Sequence, residues 1–507
     1  MAHPISGRKM EAHSRSADIA MKSRCLRISG NNCKYVGWMW MWMWMHFLIV
    51  LLLSSTATSI TVVETLPGYS DELPFNLETG YVSVGETDDL QLFYYFIESQ
   101  RNPVKDPLVL WLTGGPGCSA LSGLIYEIGP LTFDFDSFNG SFPTLRVNPE
   151  AWTQVANIIF LDAPVGTGFS YSTSSEGYYS SDTSSPYDIY TFLRKWILDH
   201  PKYLNNPLYI AGDSYFGVIV PQVSILISNG NIAGSLPPMN LLGYILGNPV
   251  TDQHGDENSR IKYFHRLTLI SDELYESVKE SCKGEYVYPD LTNSTCLDDI
   301  GLIAECTKNV NDAQILEPKC SFATPRPKTM NWGRKFFDDI PDEIIQSPPT
   351  KRQENWCRNT NYVLSYIWAN DATVQKALGV RNGTITDWKR CNKSLAYESN
   401  LNTVVHYHEE LLITRGYRAL VYSGDHDMMI PYVGTQVWVK NLNLPTVDGW
   451  RPWFVEGQIA GFTEKYSTIE GDGLTFALVK GGGHTAPEYK PKECLEMADR
   501  WMSFYAL

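Results

Sequence analysis

Leu208-Tyr209-Ile210-Ala211-Gly212-Asp213-Ser214-Tyr215-Phe216-Gly217 sets a serine directly after an apolar run, between glycines and ahead of a second apolar stretch from Val218 to Ile227. The pattern reads as a strand, a sharp turn and a helix, with the serine oxygen presented at the strand end. Serine at its free pKa is a weak nucleophile, so such a site requires a histidine base and a carboxylate that orients it. Both occur farther along the chain. The strand run Ala419 to Tyr422 leads into Ser423-Gly424-Asp425-His426-Asp427, and the run Phe476 to Val479 leads into Gly481-Gly482-Gly483-His484-Thr485. Ser, Asp and His candidates thus lie just beyond the carboxyl ends of three strands, where open α/β sheets build their sites.

Working outward, the apolar runs Leu108 to Leu112, Ile158 to Leu161, Leu208 to Ala211 and Leu242 to Leu246 alternate with glycine-rich turns and helical patterns between Leu66 and Val250. That alternation predicts an α/β class with a mostly parallel central sheet and flanking helices. From about 251 to 395 the pattern changes to short amphipathic pieces rich in cysteine, which predicts an inserted, disulfide-stapled lid. A Pro/Lys/Arg-rich passage from Phe322 to Gln353 reads as an exposed linker within it. Core strands then resume, and Pro491 to Ala506 closes the chain as a helix. A helix is also expected from about Tyr397 to Ile413, with His406 and His408 on its surface.

Residues 1–59 carry a Trp/Met alternation from Trp38 to Met45, an apolar run through Leu53, basic residues Lys22, Arg24, Arg27 and Lys34 before it, and small residues after it. This is the layout of a secretory signal, with cleavage expected near Ala57 or Ser59. An uncleaved anchor over Val36 to Leu53 is the alternative. The 507-residue chain has a formal net charge of −15; without residues 1–59 it becomes −20, from 34 Lys plus Arg against 54 Asp plus Glu. Nucleic acid is therefore excluded as a partner, and no membrane partner is expected once the signal is removed. Eight cysteines remain after residue 59, with no zinc-type spacing, so disulfides in an oxidising compartment are expected and no metal or other cofactor. Sequons at Asn139, Asn293, Asn382 and Asn392 make these the candidate glycosylation sites.

Acyl chemistry also needs donors aimed at a developing oxyanion. Thr113-Gly114-Gly115-Pro116-Gly117-Cys118-Ser119, directly after a strand, is the candidate source, with the backbone amides of Gly115 and Tyr215 as the pair. The chain order Ser, Asp, His is that of the α/β-hydrolase fold. The residues alone leave Asp425 and Asp427 both open. Proteins of that fold commonly set the acid three residues after a strand-end glycine and four before a proline, as Gly424, Asp427 and Pro431 stand here, and this resemblance selects Asp427 and leaves Asp425 to cap the turn.

Trp111 to Ser119, Phe160 to Tyr171, the serine motif, Tyr422 to Pro431 and Gly481 to Pro487, taken in order, resemble the plant serine carboxypeptidase-like family from about Leu66 to the end. The resemblance implies an α/β-hydrolase domain over 60–507, the triad Ser214, Asp427 and His484, and disulfides Cys118 to Cys357, Cys282 to Cys296 and Cys306 to Cys320, with Cys391 and Cys494 left over. It also implies a cleavable linker at about 322–353 and a vacuolar or extracellular destination. Peptidases of the family hold a substrate carboxylate with Asn before the double glycine and Glu before the serine. Here those substrate-binding positions, beside Gly114, are Thr113 and Asp213, which lack the same reach and amide donors. They resemble instead the acyltransferase branch, whose partners are a 1-O-β-glucose ester as acyl donor and an alcohol or amine acceptor. A carboxypeptidase acting on peptide C-termini is the alternative. One residue departs from the family: Phe216 is bulky where the turn uses a small residue. It is expected to crowd the nucleophile, and at the extreme to leave a silent secreted binding protein.

Overall fold

In the computed structural model, residues 59–319, 357–468 and 471–507 are described. The signal segment, the Phe322 to Gln353 linker and Cys320 lie outside them.

Strand residues here are buried on both faces, which is what continuous apolar runs in a parallel sheet require. Along Leu108–Leu112, Val109 and Trp111 enter one hydrophobic cluster, while Leu108, Leu110 and Leu112 enter another. The same two-residue alternation divides Tyr209 and Ala211 from Leu208 and Ile210. The sheet thus separates two cores. Its order is Ser59–Val63, Leu77–Val84, Leu90–Ile97, Asn157–Leu161, Leu108–Leu112, Leu208–Asp213, Leu241–Gly247, Arg418–Gly424, Gly471–Val479, Gln458–Thr468 and Thr446–Val455, with Tyr171–Ser172 paired to the third. The six strands from Asn157–Leu161 to Gly471–Val479 are mutually parallel, and antiparallel strands extend both edges. Helices Ser185–Asp199, Val220–Ile232 and Pro491–Met502 each carry proline in the first turn, where its missing N–H costs nothing.

The expected insert divides into two parts that pack differently. Helices Gln253–Arg266, Asp272–Ser281 and Ser294–Thr307 share a small core of their own around Ile261, Phe264, Val278 and Ile303, joined by Met428 and Val433. Val363, Leu364, Trp368, Val374 and Trp388 instead belong to a main core of the sheet. Two of the disulfide assignments need correction. Cys118 bonds Cys391, not Cys357, and Cys306 is a free, exposed thiol and does not bond Cys320. Cys282 to Cys296 is present, Cys357 is disulfide-bonded, and Cys494 is free and buried. The expected helix from Tyr397 is also shorter. Tyr397–Glu398 pairs as a strand with Ser180–Ser181, and helix begins only at Val405. His408 does not lie on the surface: it is fully buried, bonded through Nδ1 to Tyr244 Oη at 2.8 Å and stacked on Trp438.

Candidate active site

Strand Leu208–Asp213 ends at the turn that carries Ser214, whose φ of 51° lies in the left-handed region. A non-glycine residue there stores about 1–3 kcal/mol of strain, held by the surrounding structure. Part of the holding is visible. Val250 N donates to Ser214 O at 2.9 Å, and Gly212 leaves no room for a Cβ, which would lie 2.7 Å from Leu112 O. The glycine loop after Leu108–Leu112 lies directly against the serine: a Cβ on Gly114 would fall 2.6 Å from Ser214 Cβ and 3.2 Å from its Oγ. Gly115 has φ of 135°, a conformation open to glycine, and Cys118 in the same loop is tied to Cys391.

His484 Nε2 is 2.8 Å from Ser214 Oγ, and His484 Nδ1 is 2.8 Å from Asp427 Oδ2. All three side chains are buried. Asp427 is held by more than the imidazole. Asn248 Nδ2 donates to the same Oδ2 at 2.7 Å, while the amides of Met429 and Ile430 donate to Oδ1 at 2.7 and 3.3 Å. Asp425 turns the other way and accepts from Gly481 N at 2.6 Å, joining its own turn to the glycines that precede His484. Burial opposes a charge on His484, but the Asp427 carboxylate, through its charge and its hydrogen bond, outweighs it. With Asp213 adding to the effect, the imidazole pKa is raised.

The substrate-binding candidates fall beside this triad. Asp213 Oδ1 accepts from Gly114 N at 2.8 Å. Burial pushes its carboxyl up to about 6, against the pull of that amide and of His484. Thr113 is buried, and its Oγ1 meets no hydrogen-bond partner among the described residues. Tyr215 points its hydroxyl away from the nucleophile, to Asp182 at 2.5 Å and Ser399 at 2.7 Å, which leaves its backbone at the turn. Phe216 corrects the expectation of crowding: its side chain is buried in the cluster that also holds Leu112, Ile210 and Val223, and the 2.8 Å Ser214 to His484 contact stands with it in place.

Three participants were not legible as such. Asn248, with φ of 44° just beyond strand Leu241–Gly247, sits in an Asn-Pro dipeptide that signals only a turn. Glu127 is buried beside the site with its carboxyl pushed well above the usual range by burial first and then by the charges of Asp213 and Glu488. Glu488, four residues after His484, accepts from Tyr362 Oη at 2.8 Å and Thr485 Oγ1 at 2.9 Å. Among the described residues no cluster of His, Cys, Asp or Glu could hold a metal ion.

Known proteins share this arrangement of strands and turns. A prohormone-processing carboxypeptidase of Saccharomyces cerevisiae superposes with a TM-score of 0.64 at 20% identity, over 88% of this chain and 95% of its own, a likeness of α/β-hydrolase fold. Serine carboxypeptidase-like 1 of Arabidopsis thaliana is 46% identical over 445 residues, 88% of this chain and 93% of that protein. Serine carboxypeptidase-like 17 of the same plant is 44% identical over 474 residues, 94% of this chain and 99% of that protein. The sequence model of the serine carboxypeptidases matches residues 67–504, and the chain belongs to that family, on its plant serine carboxypeptidase-like side.

Proposed function

We propose that the protein is an acyltransferase that moves an acyl group from a 1-O-β-glucose ester to an alcohol or amine through Ser214, His484 and Asp427. The observation that carries this choice is the pair Thr113 and Asp213. A short hydroxyl without a partner among the described residues and a carboxylate tied back to Gly114 stand where a peptidase would hold a substrate carboxylate. A carboxylate left one hydrogen bond short in a desolvated site loses about 1–3 kcal/mol, or roughly 5- to 150-fold in discrimination. A glucose ester has no carboxylate to lose.

In this account Ser214 Oγ attacks the ester carbonyl while His484 Nε2 takes its proton, and Asp427 holds Nδ1–H and steadies the imidazolium. The amides of Gly115 and Tyr215 receive the oxyanion. Collapse of the tetrahedral adduct breaks the bond to the sugar oxygen, which leaves with the proton from His484. The acceptor then loses its proton to the same nitrogen as it attacks the acyl-serine, and the serine is restored. Disulfides Cys118 to Cys391 and Cys282 to Cys296 support a secretory route to an oxidising compartment, vacuolar or extracellular.

A carboxypeptidase is the second reading, favoured by one observation: with its carboxyl at about 6, Asp213 is protonated in an acidic compartment and can donate to a substrate carboxylate. Rates on a glucose ester with an alcohol acceptor and on blocked dipeptides separate the two. Transfer is expected to be about tenfold or more the faster, and Thr113→Asn with Asp213→Glu to raise the peptidase rate. Efficient release of C-terminal residues with no transfer from any glucose ester would establish the second reading.

A further inference from the structure

Residues 311–317 form no helix or strand, yet Asn311, Asp312 and Gln314 are buried. Their hydrogen bonds explain why. The segment threads between the turn that carries Asp427 and the turn that carries His484, and it bonds to both. On the acid side, Met428 N donates to Asp312 O at 2.9 Å and Ile315 N donates to His426 O at 3.1 Å. On the base side, the backbone N–H of His484 itself donates to Ala313 O at 2.7 Å, and Gln314 Nε2 donates to Gly481 O at 3.1 Å. Gly483 has no side chain because none fits: a Cβ there would lie 2.5 Å from Ala313 O and 2.7 Å from the Tyr489 ring.

The segment is closed at its far end by one cation. Arg358 binds the Glu317 carboxylate through Nη2 at 2.7 Å and Nε at 3.0 Å. Its Nη1 donates to Glu488 O at 3.2 Å, and its guanidinium lies 4.4 Å above the Tyr489 ring. Arg358 therefore grips the strap and the turn of His484 together. A planar fork with several donors can do this, and an ammonium cannot. Asn311 shapes the other end, accepting from Ala313 N at 3.1 Å and donating to Pro318 O at 3.1 Å.

We infer that the strap 311–317, with Gln314 and Arg358 as its positioning residues, sets the spacing between the acid turn and the base turn. Holding the seven irregular residues 311–317 in one conformation costs about 1–2 kcal/mol of backbone entropy for each, and here the bonds that offset it run to the two turns that carry the triad. Contacts of catalytic geometry must be kept within about 0.5 Å. The two turns meet directly at one side, Gly481 N donating to Asp425 Oδ1 at 2.6 Å and His426 N to Gly482 O at 2.9 Å, and the strap adds a second tie across Met428 and the His484 amide. The inference rests on the triad proposed above. The charged and titratable groups facing His484 are Asp427 and Asp213; Asp312 faces Asp427 in turn, and Glu127 and Glu488 face Asp213.

The test is the rate at which a fluorophosphonate labels the secreted full-length chain, followed against pH for Gln314→Ala, Arg358→Gln and Ser214→Ala. Loosening the strap weakens the hold of Asp427 on the imidazole, so the strap variants are expected to label about tenfold or more slowly, with the midpoint of the pH profile moved to lower pH. A purely structural role lowers the amount of folded protein and leaves rate and midpoint of the folded fraction alone. Rate and midpoint within twofold and 0.2 pH of about the parent values in either folded variant would overturn the inference, as would failure of both variants to fold. Labelling of Ser214→Ala at the parent rate would instead overturn the triad itself, so the two failures are distinct.

Discussion

Asp425 and Asp427 stand two residues apart in one turn, and their partners separate their roles. Asp427 holds the imidazole, and Asp425 holds the Gly481 amide. Asp427→Asn is expected to lower acyl turnover by about 1,000- to 10,000-fold, because the amide stabilises the wrong imidazole tautomer, whereas Asp425→Asn costs less than about tenfold. Steady-state rates of the two variants decide it, and a larger loss at Asp425 would reverse the assignment. At Phe216 the expectation taken from the sequence is reversed. The ring fills the core beneath the turn, so Phe216→Ser leaves a cavity lined by apolar groups and a hydroxyl without a partner. The expected cost is about 3–5 kcal/mol, read as a lower urea midpoint. A variant as stable as the parent and faster in turnover would restore the crowding account.

At the scale of elements, the loop of Gly114 to Cys118 is pinned to the chain near residue 391 by a disulfide that spans 273 positions. Peptide mapping without reduction should recover a Cys118 to Cys391 cross-link, and Cys118→Ser should cost about 2–5 kcal/mol. A Cys118 to Cys357 peptide would contradict the fold near the nucleophile. This pairing was not legible in the sequence, because spacing carries no information about which distant segments meet. The parallel strands were legible, since runs such as Leu108–Leu112 are apolar on both faces and end in glycine turns. The edge strands Thr446–Val455 and Gln458–Thr468 were not, because exposed, polar positions break their pattern. Strand-end Ser214 and His484 stood out for the same reason as the strands that carry them, whereas the strand pattern left Asp425 and Asp427 both open and only the resemblance to the fold selected Asp427. Asn248, Glu127 and the strap were silent, since their roles come from contacts between segments that no local periodicity records.

For the whole molecule, several buried carboxyls share one sense of displacement. Burial, the largest cause in each, raises Asp162 and Asp213 to about 6 and Asp256 to about 7. Their folded-state pKa values exceed the ordinary carboxyl value of about 4, so between pH ~4 and ~7 the folded chain binds more protons than the unfolded one and stability falls as pH rises. The raised pKa of His484 acts in the same sense, whereas buried His408, lowered to about 3, opposes it as pH falls below the ordinary imidazole value. Carboxyls outnumber that one imidazole. Thermal unfolding is therefore expected to be highest near about pH 5 and to decline toward neutrality. Melting temperatures that climb steadily from pH 5 to 8 would show that these groups are not buried as described.

The central claim, that Ser214 carries an acyl group taken from a glucose ester, is tested most directly by trapping that intermediate. The enzyme is mixed with an aromatic 1-O-β-glucose ester without acceptor, quenched in acid, digested and weighed. The peptide containing Ser214 should gain the mass of the acyl group, the gain should vanish when an alcohol acceptor is added before the quench, and Ser214→Ala should show none. A peptide that never gains this mass, in an enzyme that removes C-terminal residues from blocked dipeptides, would contradict the account.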